Sequence, residues 1–326
     1  MRSRLAEPRR IADAAHGMAD ERDMDLRRAA MDHVRSLART FDDLVPVEAL
    51  RQGFDFDARR VSLGSFYSGI FRPREARGPA ALTLVTAPSS PYADGIGPEG
   101  DSFVYHYRSP GRDTYEARAA AERDNAALRA AARLVVPLIY FHGVAPGQYV
   151  PIAPVFVTRD DPDQRVVHLE AALPIKDVGD VGLQSDEVVR RYATREARVR
   201  LHQHRFRHLV LGAYQGRCAV CALRETSLLQ AAHIIEDRDP AGAAAVVNGI
   251  ALCAIHHLAY DRNVMGIDPD GVVHIAARLL EEVDGPMLRT GLQGFHGQTI
   301  SLPRRRADRP DPHRLEIRFD AFREAS

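Results

Sequence analysis

Two short pairs of metal-ligand residues constrain the C-terminal part of this chain most strongly. Cys218 and Cys221 form the first pair, and Cys253 and His256 form the second, with two residues between the members of each. Zinc is usually held in tetrahedral geometry by two such pairs that the fold brings together. We therefore predict a structural Zn²⁺ site that stabilises a small domain with little core of its own. The alternative is buried cysteines that lie beside surface histidines.

Length, charge and cysteine content limit the class of protein. A chain of 326 residues is long for one domain, and its formal net charge of zero means that any contact with nucleic acid must use local basic patches. Three cysteines are too few for a disulfide framework and favour a reducing compartment. The longest apolar run, residues 134–141, is too short to cross a bilayer, and the first ten residues do not resemble a signal peptide. We expect a cytoplasmic protein.

The hydrophobic pattern predicts an α+β fold in three parts. Residues 1–60 show helical periodicity and form a predicted N-terminal helical segment. Residues 61–175 contain short β-branched and aromatic runs separated by Gly, Pro and Asp, which predict a mostly antiparallel sheet or barrel with one helix at 115–133. A plausible linker at 173–185 leads to a C-terminal domain at 186–326, which begins with a long basic helix ending near residue 214.

Three residues that suit hydrolysis of a phosphodiester lie among the zinc-ligand pairs. His233 lies near the end of a predicted strand, Asn248 lies in the loop at the start of a second strand, and His257 lies near the start of a helix. Over residues 218–261 this order resembles the HNH (ββα-metal) nucleases. The resemblance implies that His233 is the general base that activates water, and that His257 binds a catalytic divalent cation such as Mg²⁺. It also implies that Asn248 orients the loop and the base.

The second ligand of the catalytic cation is less clearly marked. Many HNH enzymes have Asp or His immediately before the general base, whereas this chain has Ala232. Asp261 lies four residues after His257, on the same helical face, and is a candidate ligand or a structural residue. His256 and His257 are adjacent, so either could bind zinc, but the spacing to Cys253 favours His256.

The middle of the chain resembles the SRA domain, a barrel-like fold that flips modified cytosine out of the duplex. Four motifs carry this resemblance: SGIFRP at 68–73, SSPYADG at 89–95, FVYHY at 103–107 and DNAALRAA at 124–131. It implies that Tyr92 and Tyr105 stack on the flipped base and that Asp94 accepts a hydrogen bond from its exocyclic amine. The alternative is that the tyrosines belong to the core and that the aspartate belongs to a turn.

Together the two halves resemble the SRA–HNH modification-dependent restriction endonucleases. The resemblance implies cleavage of double-stranded DNA that carries 5-methylcytosine or 5-hydroxymethylcytosine, as a defence against phage. One HNH site cuts one strand, so a double-strand break needs two protomers or two visits, and we expect a homodimer. Two alternatives stay open: an HNH endonuclease that does not depend on modification, and an inactive reader of modified DNA.

Basic residues in two segments are candidates for contacts with the DNA backbone. Arg205 and Arg207 lie on the long basic helix, and Arg304, Arg305 and Arg306 lie in the C-terminal tail. Phosphate contacts of this kind supply most of the sequence-independent affinity for DNA. In the alternative interpretation, the helix is a solvated amphipathic element whose apolar face packs on the nuclease core. That face would contain Val199, Phe206, Leu209 and Val210.

Overall fold

The fold divides into two compact units, Met1–Leu201 and His202–Ser326. The computed structural model describes residues 20–64, 69–88, 95–96, 102–172, 187–236, 239, 242 and 244–325. Its mixture of helices and sheets agrees with the predicted α+β class. The helical segment predicted at 1–60 falls in the same unit as the predicted sheet. No helix in the described part of the chain is long and apolar enough to span a membrane.

The first unit consists of one large sheet with helices packed on it and a separate two-stranded sheet. Its helices are α1 (Glu21–Thr40), α2 (Val47–Arg51) and α3 (Tyr115–Leu134), followed by the first part of α4 (Glu187–Ala213). Its strands are β1 (Val45–Pro46), β2 (Phe54–Phe56), β3 (Arg59–Val61), β4 (Ile70–Phe71), β5 (Thr83–Thr86), β6 (Gly95–Ile96), β7 (Phe103–His106), β8 (Leu138–Ala145), β9 (Gln148–Asp161) and β10 (Val166–Ala171). The predicted linker at 173–185 lies outside the described residues.

The large sheet is curled into a half-barrel. Its strand order is β4-β5-β8-β9-β10-β7-β6, and β1 pairs with β9. Every pair is antiparallel except β5 with β8, as the sequence predicted for a mostly antiparallel sheet. Within the described residues the end strands β4 and β6 do not pair with each other, so the sheet is open and is not a closed barrel.

Small side chains allow α3 to pack closely on the sheet. Ala127, Ala130 and Ala131 of this helix are buried in one cluster with side chains of β8, β9 and β10. A second cluster joins α1 and α2 to β5 and β8, and it includes Leu26 and Phe141. Together these two clusters form the core of the first unit, so both helical layers depend on the same sheet.

A buried ion pair holds α1 in place within the first unit. The Arg27 guanidinium forms a hydrogen-bonded ion pair with the Asp23 carboxylate at 2.8 Å. It also donates hydrogen bonds to the carbonyl oxygens of Ala80, Ala81 and Pro137. Arg27 and Asp23 are both buried. Because a buried charge is tolerated only when it is paired and hydrogen-bonded, this pair fixes the position of α1 against the segments that precede β5 and β8.

The second unit contains a small ββα motif and a set of short elements around it. Its strands are β11 (Leu229–His233), β12 (Gly249–Cys253), β13 (Met265–Ile267) and β14 (Val273–Ile275). Its helices are the end of α4, then α5 (Ala254–Asp261), α6 (Ala277–Leu280), α7 (Pro286–Gly291) and α8 (Pro312–Ala325). Phe206 and Val210 of α4 are buried in its core, whereas Leu209 is 42% exposed. Val199, which belongs to the first unit, is 45% exposed.

Candidate functional site

The register of β11 and β12 fixes the order of the site residues. His233 pairs with Gly249 at one end of the two strands, and Leu229 pairs with Cys253 at the other. Helix α5 begins at the residue after Cys253. The strand–loop–strand–helix order predicted from the sequence is therefore present, with His233 at the end of the first strand and His257 in the first turn of the helix.

Asn248 joins the two ends of the loop between the strands. Its side-chain oxygen accepts from the backbone N–H of Ile235, and its side-chain amide donates to the carbonyl of the same residue, each at 2.9 Å. The backbone N–H of Ile234 donates to the carbonyl of Asn248 at 3.0 Å. Asn248 is fully buried. Its amide thus holds the loop directly after His233.

The ring of His233 lies against an aromatic side chain of α4. The His233 and Phe206 rings are stacked, with centroids 3.9 Å apart and planes 14° apart. His233 is half-buried, whereas Phe206 is buried. One face of the imidazole is therefore covered by protein. Phe206 was predicted from the sequence only as a core residue of the basic helix.

His257 lies between two polar side chains. Its Nδ1 is 2.6 Å from the side-chain oxygen of Gln230 on β11, and its Nε2 is 3.4 Å from a carboxylate oxygen of Asp261. An amide oxygen can only accept, so Nδ1 carries the proton in this contact and Nε2 is the basic nitrogen. His257 Nε2 and Asp261 could therefore bind one divalent cation together. Gln230 has no signal of such a role in the sequence, where it is an ordinary exposed strand residue.

The four predicted zinc ligands form one cluster. The ligand atoms of Cys218, Cys221, Cys253 and His256 all lie within 4.8 Å of one another. The Nδ1 atom of His256 is 3.5 Å from the Cys218 sulfur and 3.1 Å from the Cys253 sulfur, and the sulfurs of Cys221 and Cys253 are 3.9 Å apart. Two thiolates on a tetrahedral zinc lie roughly 3.8 Å apart, given Zn–S bonds of about 2.3 Å. The cluster therefore fits a zinc ion.

A contact behind His256 orients its ring toward the sulfurs. The Nε2–H of His256 donates to the carbonyl of Gly291 at 2.9 Å, which leaves Nδ1 as the basic nitrogen. A second hydrogen bond of this kind is the usual way in which a metal-binding histidine is held in place. His256 therefore contributes to the cysteine cluster, and the adjacent His257 faces Gln230 and Asp261.

Each of the three thiols of the cluster affects the ionisation of the others. Burial raises the pKa of Cys218, but the contact with the His256 ring and hydrogen bonds from backbone N–H groups outweigh burial and lower that pKa to about 6. Burial and the nearby charge of Cys218 raise the pKa values of Cys221 and Cys253. Three thiolates at these distances repel one another, so the cluster is suited to a cation, which deprotonates its thiol ligands.

A basic groove lies beside the loop that carries Asn248. It has a volume of about 450 Å³. Its lining consists of His208, Leu209, Gly212, Ala213, Gln215, Val246, Arg304, Arg305 and Asp308. The tail that supplies the two arginines is anchored at both ends: Ser301 N–H donates to the Ala219 carbonyl at 2.7 Å, and Asp311 N–H donates to the Val247 carbonyl at 2.9 Å. The arginines are therefore presented on a fixed segment.

The other predicted arginines have different surroundings. Arg205 and Arg306 are exposed, and Arg205 lies on the helical face that lines the groove, three positions before His208. Arg207 is directed elsewhere. Its guanidinium donates to the carbonyls of Thr226 and Leu229, each at 2.9 Å, and so ties α4 to the beginning of β11.

The predicted base pocket is described only in part. Tyr92 and Asp94 lie outside the described residues. Tyr105 is 4% exposed in the core cluster of the first unit, and its hydroxyl donates to the carbonyl of Val85 at 3.4 Å. Its ring meets that of Tyr140 edge to face, with centroids 6.0 Å apart. A base could stack on Tyr105 only if a face of this buried ring were uncovered.

The DNAALRAA motif also has a structural contact. The Asn125 side-chain oxygen accepts from Arg108 N–H at 2.8 Å, and its amide donates to the Arg108 carbonyl at 2.9 Å. Asp124 forms an ion pair with the Arg108 side chain. These contacts attach α3 to the chain that leaves β7, the strand containing Tyr105.

Comparison with known proteins identifies the C-terminal motif. Residues 218–268 match the HNH endonuclease family model. No curated protein matches the chain. Among solved structures, the chain is similar to one described as "Modification dependent TagI restriction endonuclease". That similarity has 16% sequence identity and a TM-score of 0.28, and it covers 94% of this chain and 93% of the other.

Proposed function

Since residues 218–268 form an HNH endonuclease domain, the protein is a DNA endonuclease, and we propose that it cuts DNA in response to modified cytosine. The observation that carries the catalytic part is the ββα site, in which His233 ends β11 and His257 lies in the first turn of α5. The modification dependence rests on the SRA-like order of the four sequence motifs between residues 68 and 131.

In the proposed reaction, His233 acts as the general base. It accepts a proton from a water molecule, the water oxygen attacks the phosphorus, and the bond from phosphorus to the 3′ oxygen breaks. The half-buried position of His233 is compatible with this role, and one face of its ring is packed against Phe206. Asn248 supports the reaction indirectly by fixing the backbone that follows His233.

Two different metal sites are part of the proposal. His257 Nε2 and Asp261 would hold Mg²⁺ or another divalent cation, which would stabilise the charge that develops on the phosphate and the leaving oxygen. The Cys218, Cys221, Cys253 and His256 cluster would hold zinc, as its ligand distances allow. The zinc role is structural because all four tetrahedral positions would be filled by protein.

DNA would lie along the basic groove. Arg304 and Arg305 would contact backbone phosphates, and Arg205 on the same side of α4 would extend that surface. The groove also borders Val246, two residues before Asn248, so a strand held there would pass near the catalytic loop. Arg306, next in the tail, would add a weaker contact. Arg207 already bonds two backbone carbonyls, and we assign it to the structure of α4 and β11.

We further propose that the first unit reads 5-methylcytosine or 5-hydroxymethylcytosine by base flipping. Tyr92 and Asp94 would form the pocket, and Tyr105 would join it if the ring becomes accessible on binding. Double-strand cleavage would require two protomers or two visits by one protomer, and we propose a homodimer. A restriction role against phage follows from this combination of reading and cutting.

Matched plasmids would test the proposal. With Mg²⁺, the purified protein should cut a plasmid that carries 5-methylcytosine or 5-hydroxymethylcytosine and spare an unmodified plasmid of the same sequence. His233→Ala should reduce the rate by about 100-fold or more. Equal cutting of both plasmids would favour an HNH endonuclease that does not depend on modification. Binding to modified DNA without cutting would favour an inactive reader.

A further inference from the structure

We propose that Phe206 is a positioning residue for His233. This inference rests on the proposed function, in which His233 is the general base. Its geometric basis is the parallel stack of the two rings, with centroids 3.9 Å apart and planes 14° apart. Phe206 belongs to α4 and is far from His233 in sequence, so the contact is made by the fold of the second unit.

A glycine creates the space in which the stack forms. Gly249 pairs with His233 across β11 and β12. A Cβ atom at position 249 would lie 2.8 Å from Cζ of Phe206 and 2.5 Å from Cγ2 of Val210. Both distances are shorter than a van der Waals contact. The missing side chain therefore lets α4 approach β12 closely enough for Phe206 to reach the imidazole.

A second contact fixes α4 against the strand that carries His233. Arg207, the residue after Phe206, donates to the carbonyl of Leu229 at the start of β11 and to that of Thr226 just before it. His233 ends the same strand. The strand is thus held to α4 at its beginning by hydrogen bonds and at its end by the stacked rings.

The stack restricts the freedom that matters most for a general base. The terminal torsion of a histidine side chain has a broad energy profile, so the ring plane is poorly fixed by the side chain alone. A parallel phenyl ring limits rotation about this torsion and so fixes the direction of the basic nitrogen. Proton transfer depends on such alignment, and a misplacement of about 1 Å can cost on the order of 100-fold in rate.

Substitution of Phe206 would test the role with the full-length protein. Phe206→Leu keeps an apolar side chain but removes the flat ring, so we expect kcat to fall on the order of 10- to 100-fold while KM for DNA stays nearly unchanged. Val210→Ala keeps the Phe206 ring but removes apolar volume from the same contact with Gly249. Comparison of the two variants separates ring orientation from loss of apolar volume.

Val210→Ala is the matched structural control. Val210 lies one turn further along α4 and also packs against Gly249, but an aliphatic side chain cannot stack on a ring. This substitution should lower Tm at least as much as Phe206→Leu and leave kcat unchanged at temperatures well below unfolding. If Val210→Ala and Phe206→Leu lower kcat equally, Phe206 acts only as a core residue and the inference is wrong.

An NMR measurement tests the stack independently of cleavage. With ¹³C-labelled histidine, the ring protons of His233, assigned by comparison with His233→Ala, should show an upfield ring-current shift that Phe206→Leu abolishes and Val210→Ala preserves. Absence of that shift would overturn the inference even in an active enzyme. Failure of the proposed function would look different. In that case the wild-type protein would show the shift but would not cleave DNA, or His233→Ala would still cleave it.

Discussion

The Nδ1–H of His257 donates to the side-chain oxygen of Gln230 at 2.6 Å, across the interface between α5 and β11. This contact turns Nε2 toward Asp261, where we place the catalytic cation. Loss of an outer contact of this kind typically costs 10- to 100-fold in metal affinity or activity. The hydrogen bond between these two side chains is therefore a sensitive point of the site.

We predict that Gln230→Ala raises the Mg²⁺ concentration needed for half-maximal cleavage by about 10-fold or more. Titration of the cleavage rate with Mg²⁺ measures this shift. Gln230→Glu is the control, because its carboxylate still accepts from Nδ1–H and should keep the metal dependence closer to that of the wild type. An unchanged titration for Gln230→Ala would show that His257 does not need this contact to bind the cation.

Adjacent histidines should have separable roles. His256→Ala removes a ligand of the cysteine cluster, so we expect loss of bound zinc and a lower Tm. His257→Ala should keep the zinc content and Tm of the wild type and lose cleavage. Elemental analysis of the purified variants and calorimetry check both expectations. Zinc loss in His257→Ala together with zinc retention in His256→Ala would exchange the two assignments.

The basic groove predicts a particular salt dependence. Arg304→Ala and Arg305→Ala should each weaken DNA binding and reduce the slope of log K against log salt concentration by about 0.9 per lost phosphate contact. Fluorescence anisotropy at several salt concentrations gives this slope. Arg323→Ala on α8 is the control, since this exposed arginine pairs with Asp320 and lies outside the groove. Slopes equal to that of the wild type would remove the groove from the DNA interface.

The buried Arg27–Asp23 pair predicts a large stability effect. Arg27→Met would leave the Asp23 carboxylate buried without its partner, so the free energy of unfolding of the first unit should fall by about 3–5 kcal/mol. Arg28→Met removes an exposed partner of Asp25 and should cost less than about 1 kcal/mol. Chemical denaturation of both variants gives the comparison. Similar losses would mean that the buried pair contributes no more than a surface pair.

Two buried tyrosines predict a decline in stability at high pH. Burial raises the pKa of Tyr214 and of Tyr260 well above the ordinary value of 10.0. The folded state therefore favours the neutral hydroxyls. Their contribution to the free energy of unfolding is fully present below about pH 10, the unfolded-state pKa. It is lost as the pH rises above that value, because the hydroxyls then ionise more readily in the unfolded chain.

Tyr214→Phe should make that decline shallower. The Tyr214 hydroxyl is buried and has no hydrogen-bond partner among the described residues, so its removal should leave stability at pH 8 unchanged or slightly higher. Unfolding measured from pH 8 to 11 tests this, with Tyr115→Phe at an 82% exposed position as the control. A steeper decline in Tyr214→Phe than in the wild type would contradict the assignment.

The parts of the site that were predictable depend on short-range patterns. The spacing within the two ligand pairs and the order of His233, Asn248 and His257 are local features, and they predicted the cluster and the ββα motif. Helices α3 and α4 were also predicted close to their observed ends, since both have long uninterrupted periodic patterns.

The parts that were missed depend on contacts between distant residues. Gln230 and Phe206 have no local signal that relates them to His257 and His233. Arg27 reads as one of several arginines on an amphipathic helix, and only the fold brings it beneath the carbonyls of Ala80 and Pro137. Arg207 reads as a candidate for phosphate contact, yet the fold directs it to backbone carbonyls.

The two hydrogen bonds between Asn248 and Ile235 have a practical consequence for engineering this enzyme. They close the base of the connection between β11 and β12 and do not involve the residues in between. The entropy of loop closure grows slowly, by about 0.6 kcal/mol for each doubling of loop length. An affinity peptide or a fluorescent label could therefore be inserted within that connection. The hydrogen bonds between Asn248 and Ile235 would preserve the position of His233.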